Sequence, residues 1–258
     1  MRLVLIRAIC SLATTLTWAS LAPAHSNPPE SMASTKAVFF TSGIQQRLEL
    51  AIRANDPTDV AQILSAGADV NARGKNGVTP LMISVDAQAP GAVAVLLRAG
   101  ADTRPRGSDR ASAVHLAVEN HAVAPHGHAI LEMIMKGGGD PNTRRPDDDP
   151  VLMRFAYDHD LEDIRWFKSL GADVDIKART SRPLIADIAF GQNWDSVWCL
   201  IELGAKYDYE DTLYPLSEAL DSNYASSPDA KLYPYKMKVW QLLKDKGLMH
   251  RQMKRFMP

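Results

Sequence analysis

Ala66-Gly67-Ala68-Asp69-Val70-Asn71 decides the fold, because versions of it return along the chain. They are Ala99-Gly100-Ala101-Asp102, Gly137-Gly138-Gly139-Asp140-Pro141-Asn142, Leu170-Gly171-Ala172-Asp173-Val174-Asp175 and Leu203-Gly204-Ala205-Lys206. Gly67 to Gly100, Gly138 to Gly171 and Gly171 to Gly204 are each 33 residues apart, while Gly100 to Gly138 is 38 and Gly204 to Gly247 is 43. Such a period marks a repeat array, and two of its units carry insertions of 5 and 10 residues. A glycine just past a helix supplies a left-handed cap, and a proline further on starts the next helix at its first position. Upstream of each glycine lies an outer helix with an apolar stripe: Val60, Ile63 and Leu64, then Val93, Leu96 and Leu97, then Ile130, Met133 and Ile134. Inner helices open near Leu48, Leu81, Val114, Leu152, Leu184 and Leu216, which makes about six helix-turn-helix units, each followed by a finger-like turn. One pair cannot bury its stripe, so the units must stack.

Residues 45 to 247 resemble the ankyrin-repeat family, whose period is 33. Gly77-Val78-Thr79-Pro80-Leu81-Met82 is nearest to that family's helix-opening box, and Ser112-Ala113-Val114-His115-Leu116-Ala117 keeps its histidine. The box decays to Pro150-Val151-Leu152, Arg182-Pro183-Leu184 and Tyr214-Pro215-Leu216. The resemblance implies an all-α ankyrin-repeat solenoid over 43–250 with a tail at 251–258, and a His115 that ties neighbouring turns by hydrogen bonds. Both insertions, His121 to His126 and Tyr224 to Pro234, fall between the inner and outer helix of their units and are expected to project opposite the fingers. The second also carries Tyr233 and Tyr235.

The composition suits such a body: 258 residues, 46% hydrophobic and 23% charged, give ample material for a core. Lys and Arg number 29 against 30 Asp and Glu, so no positive excess drives binding to nucleic acid or an anionic membrane. Residues 1–24 differ, with Arg2, an apolar run from Ala8 to Leu21 and the small-residue box Ala22-Pro23-Ala24. They read as a secretory signal peptide cleaved after Ala24, since Arg7 and Pro23 break the run short of a membrane span. Cys10 follows Arg7-Ala8-Ile9, which is no lipoprotein box, and no lipid or membrane anchor is expected. Cys199 then remains alone, beside Trp198, Leu200 and Ile201, as a buried thiol. Residues 25–42 are a flexible lead-in from which Val38-Phe39-Phe40 are expected to fold back over the first unit.

Candidate chemistry is sparse. His115, His121, His126 and His128 crowd 14 residues and raise zinc, but no cysteine or carboxylate completes a recognised ligand spacing. His121, His126 and His128 are assigned to the inserted loop. There is no Gly-x-Ser-x-Gly elbow, His-Glu-x-x-His helix or phosphate-cradling loop. Gly137 to Gly139 reads as a turn and Asp147-Asp148-Asp149 as a solvated finger tip, so neither catalysis nor a cofactor is expected. Trp166, Phe167, Trp194 and Trp198 fall at core spacing on two outer helices.

Side chains on the fingers are what the fold does not require. Arg73 and Lys75, then Arg104, Arg106 and Arg110, then Arg144 and Arg145, then Lys177, Arg179 and Arg182 make basic tips, whereas the last has Tyr207, Asp208, Tyr209, Glu210 and Asp211. Arginine and tyrosine are enriched at binding hot spots, so these fingers are the candidate docking residues for an acidic protein partner. An exported array of this family is expected in the periplasm. The resemblance implies an immunity protein that inhibits an antibacterial lipase or phospholipase effector of type VI secretion. A periplasmic scaffold for an endogenous enzyme such as catalase is the alternative, and a metal-binding protein using the histidine-rich loop is the third.

Overall fold

A computed structural model describes residues 38–41, 43–208, 216–221 and 231–248. These residues belong to one compact unit that begins at Val38. The expected signal peptide, most of the lead-in, Tyr209, Glu210, Asp211, Tyr224 and the tail lie outside the described residues.

Twelve α-helices and no named strand occur among the described residues. Inner helices are α1 (Gly43–Arg53), α3 (Pro80–Asp86), α5 (Ala113–Asn120), α7 (Leu152–Tyr157), α9 (Leu184–Phe190) and α11 (Leu216–Asp221). They alternate with outer helices α2 (Pro57–Ser65), α4 (Pro90–Arg98), α6 (Gly127–Lys136), α8 (Leu161–Ser169), α10 (Trp194–Glu202) and α12 (Tyr233–Asp245). Each inner helix packs on its own outer helix, α1 on α3 and α3 on α5, and α2 on α4 and α4 on α6. The same order resumes along α7, α9, α11 and α8, α10, α12. The step from α5 and α6 to α7 and α8 is looser, without the close backbone approach of the other neighbours.

The period is a backbone event. Gly67, Gly100, Gly138, Gly171, Gly204 and Gly247 all take positive φ, between 72° and 97°, directly after an outer helix. The next residue's N–H reaches back into the helix each time, as Ala68 N donates to Ile63 O and Ala172 N to Phe167 O. That left-handed cap closes the orphan carbonyls and turns the chain into the finger. Helix starts are sealed by side chains: Asp56, Thr79, Ser112 and Asp160 each accept an N–H from the first turn of α2, α3, α5 and α8. Pro57, Pro80 and Pro90 open α2, α3 and α4, whereas Pro183 sits one place earlier, as the cap of α9. Tyr233, Pro234 and Tyr235 form the first turn of α12 instead of a projecting insertion.

The core is the inner-helix box plus one side of each outer helix. Leu81, Val114, Leu152, Leu184 and Leu216 are all buried, as are Val60 with Ile63, Val93 with Leu96, and Ile130 with Ile134. The third member of each expected stripe is displaced, since Leu64, Leu97 and Met133 are half-exposed and Ala92, Val95, Leu131 and Met135 are buried in their place. Leu97 leans on the next unit, where its Cδ2 lies 2.7 Å from the position a Cβ on Gly137 would take. Leu64→Ala and Leu97→Ala should each cost about 1–2 kcal/mol in urea unfolding, below the 2–5 kcal/mol typical of a fully buried leucine.

Phe39 folds back as expected and is buried, with Phe39 N and Phe40 N donating to Glu49 Oε2 at 3.0 and 2.9 Å. Arg53 neutralises the buried Glu49 carboxylate from one helical turn away at 2.9 Å. Phe39 O then accepts Lys75 N of the first finger at 2.9 Å, so this segment seals the open end of the first pair.

Candidate functional site

The four fingers between α2 and α9 are built alike. Gly74 N bonds Val78 O, Gly107 N bonds Ala111 O, Arg145 N bonds Asp149 O and Ala178 N bonds Arg182 O, at 2.8–2.9 Å. A residue in the left-handed region makes each tip: Asn76, Arg110, Asp148 and Ser181. Isolated bridges at Arg106 with Ser112, Arg144 with Pro150 and Lys177 with Pro183 complete three of these small hairpins.

Finger bases are joined by a recurring side-chain rung. Asn71 Nδ2 donates to Gly100 O and its Oδ1 accepts Asp102 N, at 3.2 and 2.8 Å. Asn142 repeats this on Gly171 O and Asp173 N, and Asp175 accepts Lys206 N at 2.7 Å. Two of the expected docking arginines do the same work higher up: Arg73 donates to Arg106 O at 2.6 Å and Arg144 to Lys177 O at 3.0 Å, each one period ahead.

The remaining expected docking residues divide by exposure. Arg145 is buried, within 3.4 Å of Glu119 and 3.8 Å of Asp147, and so leaves the exposed edge. Asp149, expected on a solvated tip, is buried as well and accepts Arg179 N at 2.8 Å, and burial pushes its carboxyl up. Arg182 is half-buried, pairs with Asp187 and lies over the Phe190 ring. Arg104 is exposed but held by a two-toothed contact to Asp102, at 2.9 and 3.0 Å, which keeps the Asp102 carboxyl below the usual range. Arg110 and Arg179 are exposed with ion pairs to Asp148 and Asp149. Arg106 and Tyr207 are half-buried. Lys75 and Lys177 are exposed, with no ion pair among the described residues. A one-chain sequence pattern finds all these positions, because tips fall at fixed distances from the capping glycines. It misses that Arg145 faces inward, since its partner Glu119 lies on another element, α5.

The histidines part company. His115 is buried, its Nδ1 has no hydrogen-bond partner among the described residues, and its Nε2 lies 3.7 Å from Glu119, so the side chain ties no turns together. Burial, with Arg145 nearby, pushes its pKa down to about 4. His121 is buried at the end of α5, and His128 sits on α6, so neither is a loop side chain. His159 bonds Asp195 of the next unit at 2.8 Å. Cys199 is buried and burial raises its thiol pKa. Phe167 and Trp194 are fully buried, whereas Trp166 and Trp198 are half-exposed, Trp198 bonding Glu202 at 2.6 Å. No helix among the described residues is long and apolar enough to cross a membrane. No family model and no curated protein matches this chain.

Proposed function

We propose that this chain is a non-catalytic ankyrin-repeat protein of the periplasm that binds and inhibits a secreted lipase or phospholipase effector of type VI secretion. One observation supports a docking role above all. The fingers are tied to one another by the Asn71, Asn142 and Asp175 rungs and by Arg73 and Arg144, while Lys75, Arg104, Arg110, Lys177 and Arg179 stay exposed along them. An edge held in place before contact loses little conformational freedom on binding, and a row of cations steers an acidic surface toward it. Inhibition then comes from covering the effector's active-site entrance or its lid.

Lys75 and Lys177 are the freest of these charges. Lys75→Glu with Lys177→Glu should lower the association rate about tenfold at low salt and flatten its salt dependence. Tyr207→Ala should instead raise the dissociation rate. The direct test expresses a periplasmic lipolytic effector encoded beside this gene, with and without the protein, and scores survival, membrane leakage and lipase activity. Protection carries the reading. Equal killing in both cases, with no effector captured by purified protein, overturns it and leaves the endogenous-enzyme scaffold in its place.

A further inference from the structure

We propose that His121, Asp160 and Asp163 form a binding site for a divalent transition metal of the zinc type, with His128 placed to supply a fourth ligand. Their ligand atoms lie within 4.8 Å of one another, although the residues come from two successive units. Spacing along the chain hides the site, because His121 ends α5 while both carboxylates open α8.

The protonation pattern of His121 carries the argument. Its Nδ1 is 2.6 Å from Val118 O, and a carbonyl only accepts, so Nδ1 holds the proton and donates. In the neutral ring Nε2 is then a bare lone pair. That atom is buried, has no hydrogen-bond partner among the described residues, and lies 3.5 Å from Asp160 Oδ2 and 3.7 Å from Asp163 Oδ2. A lone pair facing two carboxylate oxygens is repulsive unless a proton or a metal ion lies among them. The separations suit the metal ion: bonds of about 2.0–2.1 Å at tetrahedral angles place two ligand atoms about 3.4 Å apart. A shared imidazolium proton would draw the same atoms to about 2.7–2.9 Å.

The surroundings match a metal site further out. The Nδ1–H to carbonyl bond is the outer contact that orients a ligating histidine. Asp160 uses Oδ1 to accept Asp163 N at 3.2 Å, which caps α8 and leaves Oδ2 facing His121. Phe155 stands edge-on to the His121 ring at 4.9 Å and fixes its plane. His128 Nδ1 approaches Asp163 Oδ2 at 3.9 Å from the exposed side, over Trp166 with ring centroids 6.0 Å apart. Two imidazoles and two carboxylates favour zinc, cobalt or nickel over magnesium or calcium, which take oxygen donors. The ion would bridge the loose step between α5 and α7, stapling two units whose backbones keep their distance.

The test uses the untagged, chelator-stripped protein, titrated with zinc by calorimetry and with cobalt by visible absorption. One zinc per chain should bind with a dissociation constant of about 10 µM or tighter, and cobalt should give the intense visible bands of a tetrahedral site. Tryptophan fluorescence should change with the same stoichiometry, since His128 lies against Trp166. Asp160→Asn with Asp163→Asn keeps the helix cap, the shape and all seven histidines, so loss of binding in this variant cannot come from a histidine elsewhere. It should weaken zinc by more than the 10- to 100-fold typical of an outer contact, and zinc should raise the melting temperature of the wild type only. His128→Ala should weaken binding without changing stoichiometry. Absence of a one-to-one zinc complex, or equal affinity in the double asparagine variant, overturns the site, as does a preference for calcium over zinc.

Discussion

Phe155→Ala should cost about 3–5 kcal/mol, the range for emptying a fully buried aromatic position. The ring has no exposure and lies where the stack is least dense in backbone, between α5 and α7. Side chains fill that step: Phe155 meets Phe167 at 4.6 Å between centroids and His121 at 4.9 Å, and Phe167 meets Trp166 at 5.3 Å. Arg154 crosses the same step to Glu119 at 3.1 Å. An alanine leaves a cavity that the neighbouring helices cannot close, because each is fixed by its own unit on the other side. In a repeat array the weakest interface sets where cooperativity breaks. The unfolding curve of the variant should therefore separate into two phases, the units up to and including α6 melting apart from those that begin with α7. Urea denaturation followed by tryptophan fluorescence, which reports on Trp166, Trp194, Trp198 and Trp240 after the step, and by far-ultraviolet circular dichroism measures this. A single transition within 1 kcal/mol of the wild type, on the scale of surface changes, would show that the step is not held by this ring.

Glycine spacing made the helix pairs legible because a left-handed residue after a helix has few substitutes. Gly67, Gly100, Gly138, Gly171 and Gly204 mark the ends of outer helices within one or two residues, and all six inner-helix openings fall on described helices. The apolar stripe is less legible. Val60 and Ile63 are buried as expected and Leu64 is half-exposed, because a residue next to the buried face satisfies the same periodicity as one within it. Only the packing of neighbouring helices decides which side of an outer helix turns inward. The first aromatic pair, Phe39 and Phe40, was legible as a cover, but its anchor Glu49 was not, since an acid on an inner helix looks like any solvated residue until Arg53 and two backbone N–H groups converge on it.

The fingers show the same division. Their positions follow from the period, yet their roles follow from contacts one period away. Arg73 and Arg144 reach a carbonyl 33 residues on, and Asn71 and Asn142 reach groups 29 and 31 residues on. No local motif states that. Arg145 differs from Arg144 by one place on a hairpin, so its side chain faces the opposite way and meets Glu119. The histidine cluster is the sharpest case: density within 14 residues suggested one shared site, whereas the fold sends His115 into the core and pairs His121 with acids of the following unit.

Acid should weaken the fold through His115 specifically. Above pH 6.5 the imidazole is neutral in folded and unfolded chains alike and adds no pH dependence. Below that value the unfolded chain takes up a proton, while the folded chain, with the pKa pushed down to about 4, does not. Stability then falls at about 1.4 kcal/mol per pH unit and levels off below pH 4, for a total of about 3 kcal/mol. Burial is the largest cause, Arg145 adds to it, Asp109 and Asp147 oppose it, and Arg106 makes a smaller contribution in the same sense as Arg145. Glu119 faces Nε2 at 3.7 Å, and two arginines, Arg145 and Arg154, already engage its carboxylate. Other groups titrate in this window, so the measurement is a difference. His115→Gln keeps a polar side chain of similar reach with no proton to gain. Urea unfolding from pH 7 to pH 4 should show the wild type losing about 3 kcal/mol more than the variant, the two curves running parallel above pH 7. Parallel curves throughout would mean that the folded chain protonates His115 as readily as the unfolded one, and that the carboxylates around it outweigh its burial.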